Sequence, residues 1–170
     1  MRITYHLTEE DYLHFNLFHL KNSKAGRHAL AIQRYLTPIM FIAIAFLFSS
    51  INDIPILFML IPFAIMAIIW FLFYPKYFYH TVKRNAKKML KEGKNDGIVG
   101  KHEMTLSEEG ISDHHSTGET KVNWSGIQEF KEDSDYFYFY NSSVSSYIIP
   151  KRAIKDENEL IAFVQLNYSK

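Results

Sequence analysis

The sequence predicts an α+β membrane protein: a two-helix transmembrane hairpin joined to a cytoplasmic, antiparallel β-rich domain that ends in a helix. Three observations predict it. From Tyr35 to Tyr74 the only charged side chain is Asp53. Lys and Arg crowd both flanks of that region and are absent from its centre. Beyond Gly97 the apolar residues switch to a period of two between short turn signals, and a last apolar stripe returns to helical spacing.

The net charge of +1 over 170 residues conceals a strong segregation. Residues 1–94 carry a net charge of +7 and residues 95–170 a net charge of −6, an asymmetry that points to a basic region at a membrane and an acidic domain beside it. There is no cysteine, so neither a disulfide framework nor a thiolate metal site is available.

In chain order, residues 1–28 read as a cytoplasmic strand and an amphipathic helix. Arg2–Leu7 alternates, with Ile3, Tyr5 and Leu7 on one face. Thr8-Glu9-Glu10-Asp11 has the form of a capping box, Thr8 serving the N3 amide and Asp11 reaching back. Leu13, Leu17, Phe18 and Leu20 make the helix stripe. Residues 29–51 are the expected first span. Its uncharged part, Tyr35–Ile51, reaches only about 26 Å as a helix, so Ala29–Ile32 extend it and Arg34 snorkels to the headgroups. Residues 52–53 form the external turn, with Asn52 or Asp53 as N-cap of the next helix and Pro55 in its first turn. Residues 54–75 are the second span, long enough for a hydrocarbon core of about 30 Å. The alternative is a buried hairpin in a soluble helical protein, but no other amphipathic helices are at hand to cover it.

Orientation follows from the flanks. The 20 residues before Tyr35 hold four Lys or Arg, the turn holds none, and the 20 after Tyr74 hold seven. Both termini are therefore expected in the cytoplasm, with the aromatic cluster from Trp70 to Tyr79 at that interface. The first apolar run starts too far into the chain for a signal peptide. Residues 76–94 form a basic juxtamembrane helix whose Lys83, Arg84, Lys87, Lys88 and Lys91 make a collar for anionic headgroups, each contributing about 1 kcal/mol near the surface. An ordinary topogenic flank is the plainer reading of the same charges. Nucleic acid is not an expected partner, because the basic run is tethered at the membrane.

Residues 95–170 hold six strands between His102 and Pro150 and a helix after Asp156 carrying Leu160, Ile161, Phe163 and Val164. So short a segment is marginal as a free-standing core. Arg2–Leu7 lies on the same side of the membrane and is expected to add to an open edge of this domain. The order of EDYLHFNLFH, two spans, MTLSEEGI, VNWSGIQEF, YFYFY, YIIPKRAI and a terminal helix resembles the YcxB-like membrane proteins of bacteria over most of the chain. The resemblance implies that residues 95–170 form a YcxB-like domain, pleckstrin-homology-like in its strand-then-helix order, at the cytoplasmic (inner) membrane. It implies no activity, cofactor or catalytic residue. Where phosphoinositide-binding pleckstrin-homology domains place Lys and Arg near the first two-strand turn, this chain has Glu108 and Glu109.

A search for chemistry returns little. His14 and His19 are five apart, on different helix faces; His114 and His115 are adjacent on a strand and point to opposite sides. His6, His28, His80 and His102 have no partner at ligand spacing, and none of the common hydrolase, zincin or phosphate-loop motifs occurs. Asp133 and Asp135 read as turn formers, Trp124 as a core ring, and Lys151-Arg152 as a solvated connection, with phosphate binding as the sharper alternative. No catalytic, cofactor-binding or metal-ligating residue is expected. The dense aromatics at Tyr136–Tyr140 leave one set of rings facing away from the core, so Tyr136, Tyr138 and Tyr140 are the candidate protein contact; the alternative is that residues 1–20 cover them. The expected function is a membrane-anchored, non-catalytic interaction or regulatory module that contacts a partner protein or its own second copy. The alternative is a membrane-bound enzyme or lipid-handling protein without a local motif.

Overall fold

The computed structural model describes residues 1–92 and 97–168. The expected end of the basic helix at residue 94 and the expected start of the β-rich domain at residue 95 lie outside the described residues. The chain forms two compact units: Asn16–Asn85, and Met1–Phe15 together with Ala86–Lys170.

The helical unit is dominated by α2 (Lys24–Ile51) and α3 (Ile56–Lys91). α1 (Glu9–Asn22) precedes them. α2 begins at Lys24, earlier than the expected residue 29, because Ser23 caps it: its Oγ accepts from the Gly26 amide at 3.1 Å. Gly26 is needed at that corner, since a Cβ there would lie 2.2 Å from the Leu20 carbonyl oxygen. The turn corrects a second expectation. Asn52 closes α2 instead of opening α3, its amide and its side chain both donating to the Phe48 carbonyl at 3.2 and 2.9 Å. Asp53 follows with φ +50, and the Ile54 amide reaches back to the Ser49 carbonyl at 3.2 Å. That is a Schellman ending with aspartate in the left-handed position more often held by glycine. α3 then continues without a break through Pro62 and Pro75, so the expected second span and the basic juxtamembrane helix are one continuous helix.

The two helices run antiparallel against each other. Phe48 meets Phe63, Phe41 meets Trp70 and Tyr35 meets Phe71, at centroid distances of 6.3, 6.4 and 5.6 Å. Trp70 Nε1 donates to the Gln33 carbonyl at 3.1 Å, and Arg34 lies over the Phe71 ring at 4.2 Å. Most of the remaining apolar surface faces outward; Ile39 is 64% exposed, Leu47 60% and Phe58 69%. Both helices are long and apolar enough to cross a membrane. Among the described residues nothing covers them as a soluble core would require.

The second unit is built from two antiparallel sheets and a helix. The first sheet has the order β1 (Arg2–Leu7), β2 (Gly100–Leu106), β3 (Gly110–His115), β4 (Gly118–Asn123). The second has β5 (Glu129–Glu132), β6 (Tyr136–Tyr140) and β7 (Ser146–Pro150). α4 (Glu157–Tyr168) closes the domain, capped by Asp156 Oδ1, which accepts from the amides of Asn158 and Glu159. β1 pairs with β2 from Arg2 opposite Thr105 to Leu7 opposite Gly100, so the strands before and after the two long helices belong to one sheet. Gly110, at φ +152, starts β3 where a Cβ would strike the Val122 carbonyl oxygen at 2.1 Å. Met104, Leu106, Ile111, Phe137, Phe139, Ile149, Leu160 and Val164 are almost fully enclosed between these layers. Trp124 is buried as expected, but in a 3-10 turn after β4 rather than in a strand, and its Nε1 donates to the Ser107 carbonyl at 2.8 Å.

The expected outward rings of Tyr136, Tyr138 and Tyr140 are the clearest correction. They are only 7%, 0% and 4% exposed. β6 is buried on both faces because α1 lies over its tyrosine side. Phe15 sits 5.6 Å from the Tyr138 ring and 5.9 Å from Tyr140, and His14 sits 4.8 Å from Tyr136. A period-two strand with aromatics at every position is what a strand packed on both faces requires.

Candidate functional site

In the first sheet the inward positions of β2 are His102, Met104 and Leu106, and those of β3 include Ile111 and Asp113. The register sets Met104 opposite Asp113. His102 is therefore on the same face, one diagonal step from Asp113, within reach of a long side chain. His102 Nδ1 lies 2.9 Å from Asp113 Oδ2, and both side chains are more than nine-tenths buried. His102 Nε2 lies 3.2 Å from the Ile98 carbonyl oxygen. Both ring nitrogens of His102 thus have an oxygen partner within the fold. Tyr5, opposite His102 in β1, stacks on it at 5.3 Å and 10°. Burial and then the charge of Asp113 push the Tyr5 hydroxyl well above its ordinary value.

This pair opens onto a cleft of about 430 Å³, within the range that small-molecule sites occupy. Tyr5, Tyr12, Phe15 and Tyr147 supply aromatic walls, and Asn141 and Val144 of the β6–β7 connection contribute another side. Two polar atoms among its lining side chains are sealed from solvent without a hydrogen-bond partner: Asp113 Oδ1 and Asn141 Oδ1. Buried polar atoms in folded proteins are almost always partnered, so an orphaned carboxylate oxygen in a cleft calls for an explanation.

Sequence reasoning missed this site because it tested His102 only against ligand spacings along the chain. The signal was a polar residue at an inward position of each of two neighbouring strands, and it becomes visible only once the hairpin register is known.

A second polar cluster joins α1 to β6. Thr8 and Asp11 exchange the capping-box bonds, the Thr8 amide donating to Asp11 Oδ2 at 2.8 Å and the Asp11 amide to Thr8 Oγ1 at 3.2 Å. Asp11, only 3% exposed, also accepts from Tyr136 Oη at 2.5 Å and from Arg152 Nη1 and Nη2 at 2.9 and 2.5 Å. Burial alone would raise the Asp11 carboxyl. The bonds from Arg152, Tyr136 and Thr8 outweigh it and hold the group well below the usual carboxylate range. Burial and the Asp11 contact push the Tyr136 hydroxyl up to about 12.

Lys151-Arg152 lies in the connection expected, with Arg152 exposed, but both side chains are paired within the fold. Arg152 clamps Asp11, and Lys151 Nζ bridges Glu132 at 2.9 Å and Glu157 at 3.2 Å. Nearby, His14, Asp133 and Asp135 bring ligand-type atoms within 4.8 Å of one another. Asp133 is already engaged: Oδ1 accepts from the amides of Asp135 and Tyr136, and Oδ2 accepts from Tyr138 at 2.7 Å and meets His14 at 2.9 Å. It is the turn former expected, with two side-chain partners the sequence did not reveal. On α3, Lys83, Arg84, Lys87, Lys88 and Lys91 are all exposed, and Lys88 approaches Glu92 at 4.0 Å.

The Asp11 cluster has a pH signature. Its carboxyl titrates lower in the fold than its ordinary value of 3.8. Its contribution to stability is therefore complete above that value and is lost as the pH falls towards the folded one. Asp11→Asn is expected to lower the unfolding midpoint near neutrality and to flatten the loss of stability between about pH 5 and pH 3. Trp124 fluorescence during denaturant unfolding at each pH measures both. Equal acid slopes for the two proteins would refute the assignment.

No curated protein and no solved structure matches the chain. The family model described as YcxB-like protein matches residues 106–167, which run from the end of β2 through α4 and exclude the helical hairpin, and the chain carries a YcxB-like domain there.

Proposed function

We propose that this chain is a two-span protein of the cytoplasmic membrane whose pleckstrin-homology-like domain is a non-catalytic recognition module held at the inner membrane surface by the segments on either side of the two spans. The observation that carries the reading is the pairing of β1 with β2. A strand before the apolar helices and a strand after them share one sheet, so the intervening chain crosses a bilayer an even number of times or not at all. Two helices long and apolar enough to cross support two crossings. The count of four, none and seven Lys or Arg across the flanks and turn supports cytoplasmic ends. Four strands, three strands and a terminal helix support the pleckstrin-homology-like assignment.

The non-catalytic part of the reading is supported by His102. Both of its nitrogens are engaged by acceptors, so the buried pair holds a ring in place instead of offering a free base. With Tyr136, Tyr138 and Tyr140 covered, contact with a partner protein or a second copy falls to other surfaces than the one the sequence suggested. The exposed lysines and arginine of α3 suit anionic headgroups.

The absence of cysteine makes topology directly testable. Single cysteines at Asn22, Asn52 and Ser143, all exposed, are expected to react with an impermeant thiol reagent in whole cells only at position 52. Labelling at 22 or 143 without 52 would overturn the orientation, and equal labelling at all three would overturn the spanning hairpin.

A further inference from the structure

We infer that the cleft beside His102 and Asp113 is a binding site for a small organic cation, an amidinium or primary ammonium on a flat apolar body. Four features of the cleft point to that class.

The first is the orphaned acceptor. Asp113 spends Oδ2 on His102, while Oδ1 lies sealed from solvent with no partner. Desolvating a carboxylate oxygen without a donor is costly, and a charge-assisted N–H bond is what recovers that cost. Asn141, on the opposite connection, is the other orphan. An amide can turn either its oxygen or its nitrogen towards a guest, so the carboxylate sets the sign of the charge the cleft accepts.

The second is the walls. Tyr5, Tyr12, Phe15 and Tyr147 line the cleft, and aromatic faces attract cations as well as flat apolar bodies. The third is the placement of the competing charges. His102 is tied to Asp113 and to the Ile98 carbonyl, His115 Nδ1 meets Thr117 Oγ1 at 2.9 Å, and Lys121 Nζ meets Glu119 at 3.0 Å. The lining basic side chains thus have partners within the fold, while a carboxylate oxygen does not. An anionic guest would bring a further acceptor to an orphaned acceptor.

The fourth is size. About 430 Å³ exceeds what one ordered water needs and fits a fragment-sized ligand.

The site rests on the recognition-module reading only in being non-catalytic; it does not depend on how many times the chain crosses a membrane. The lining also ties it to the anchors in sequence. Tyr5, Leu7, Tyr12 and Phe15 precede α2, and Gly97 and Ile98 follow α3, so a guest touches the chain on both sides of the hairpin.

The test uses the full chain in detergent micelles, titrated calorimetrically with benzamidinium, with benzoate and with benzyl alcohol. The expected result is saturable binding of benzamidinium below about 10 mM, at least tenfold weaker binding of benzyl alcohol, and none of benzoate. Asp113→Asn should weaken benzamidinium at least tenfold. Because Asp113 also holds His102, Val144→Trp serves as the second variant. Val144 lines the cleft and is 68% exposed, so a larger ring there obstructs the mouth without entering the core, and it should abolish binding at an unchanged melting temperature. Three results would overturn the inference: no saturable binding of benzamidinium to the parent chain, benzoate binding as well as benzamidinium, or undiminished binding by a folded Val144→Trp. In each case the membrane-anchored reading would stand. Binding of an amidine or amine followed by its chemical conversion would leave the cleft in place and overturn the non-catalytic reading.

Discussion

A chain beginning at residue 8 is expected to lose cooperative unfolding of the YcxB-like domain, although the truncation lies outside the residues that match the family. β1 buries Ile3, Tyr5 and Leu7 to 5%, 8% and 4% exposure. Full burial of such a side chain is worth roughly 1.5–3 kcal/mol, so the three together approach the whole stability of a small domain, about 5–15 kcal/mol. Their loss also uncovers a ladder edge on β2, removes the bond from the Met1 amine to the Leu106 carbonyl at 2.7 Å, and strips the Tyr5 ring from His102. The measurement is the near-ultraviolet signal of the full-length and truncated chains in the same detergent on heating. Thr4→Ala, on the exposed side of β1, is the control and should change the midpoint little. Truncated and full-length chains melting cooperatively within a few degrees of each other would sink the claim. The functional consequence is direct, because β1 makes the two ends of the hairpin one unit and also walls the cleft.

This strand shows how far the sequence could be read. Its alternation was plain in Arg2–Leu7, as were the capping box at Thr8 and Asp11 and six strands after residue 100, because each is written in adjacent residues. That the strand would lie against Gly100–Leu106 could only be argued from need, since the two are separated by the entire hairpin. The helix limits were misplaced for local reasons that outweigh hydropathy. A serine cap at Ser23 starts α2 early, and the Schellman ending over Ser49–Ile54 takes Asn52 from α3. Pro75 sits inside a continuous helix, as prolines in membrane-type helices often do. The cleft was the least legible feature. His102 and Asp113 are eleven residues apart, and neither stands out until the register of β2 on β3 puts both on one face. The clamp of Asp11 by Arg152 spans nearly the whole chain, and Asp11 alone had a sufficient explanation as a capping residue.

The tyrosines of β6 give the second large expected effect, and it separates a contact surface from a core. If Tyr138 were an exposed anchor for a partner, truncating it would leave the fold untouched. The structure places its ring at 0% exposure, 5.6 Å from Phe15, with its hydroxyl donating to Asp133 Oδ2 at 2.7 Å. Burial first, and then the Asp133 carboxylate, push that hydroxyl far above the ordinary range. Tyr138→Ala therefore removes a large ring from beneath α1 and takes one donor from Asp133. Comparable aromatic truncations cost about 3–5 kcal/mol. In a domain of this size each kcal/mol shifts the midpoint by about 4–8 °C, so the fall should exceed about 10 °C. Tyr138→Phe keeps the ring and loses only the hydroxyl bond, and should cost nearer 1 kcal/mol. The ratio of the two is the informative quantity. It assigns most of the effect to packing of α1 on β6, the contact that ties the first helix of the chain to the YcxB-like domain. Tyr138→Ala melting within a few degrees of the parent chain would return the ring to the surface and reopen the partner contact first read from the sequence.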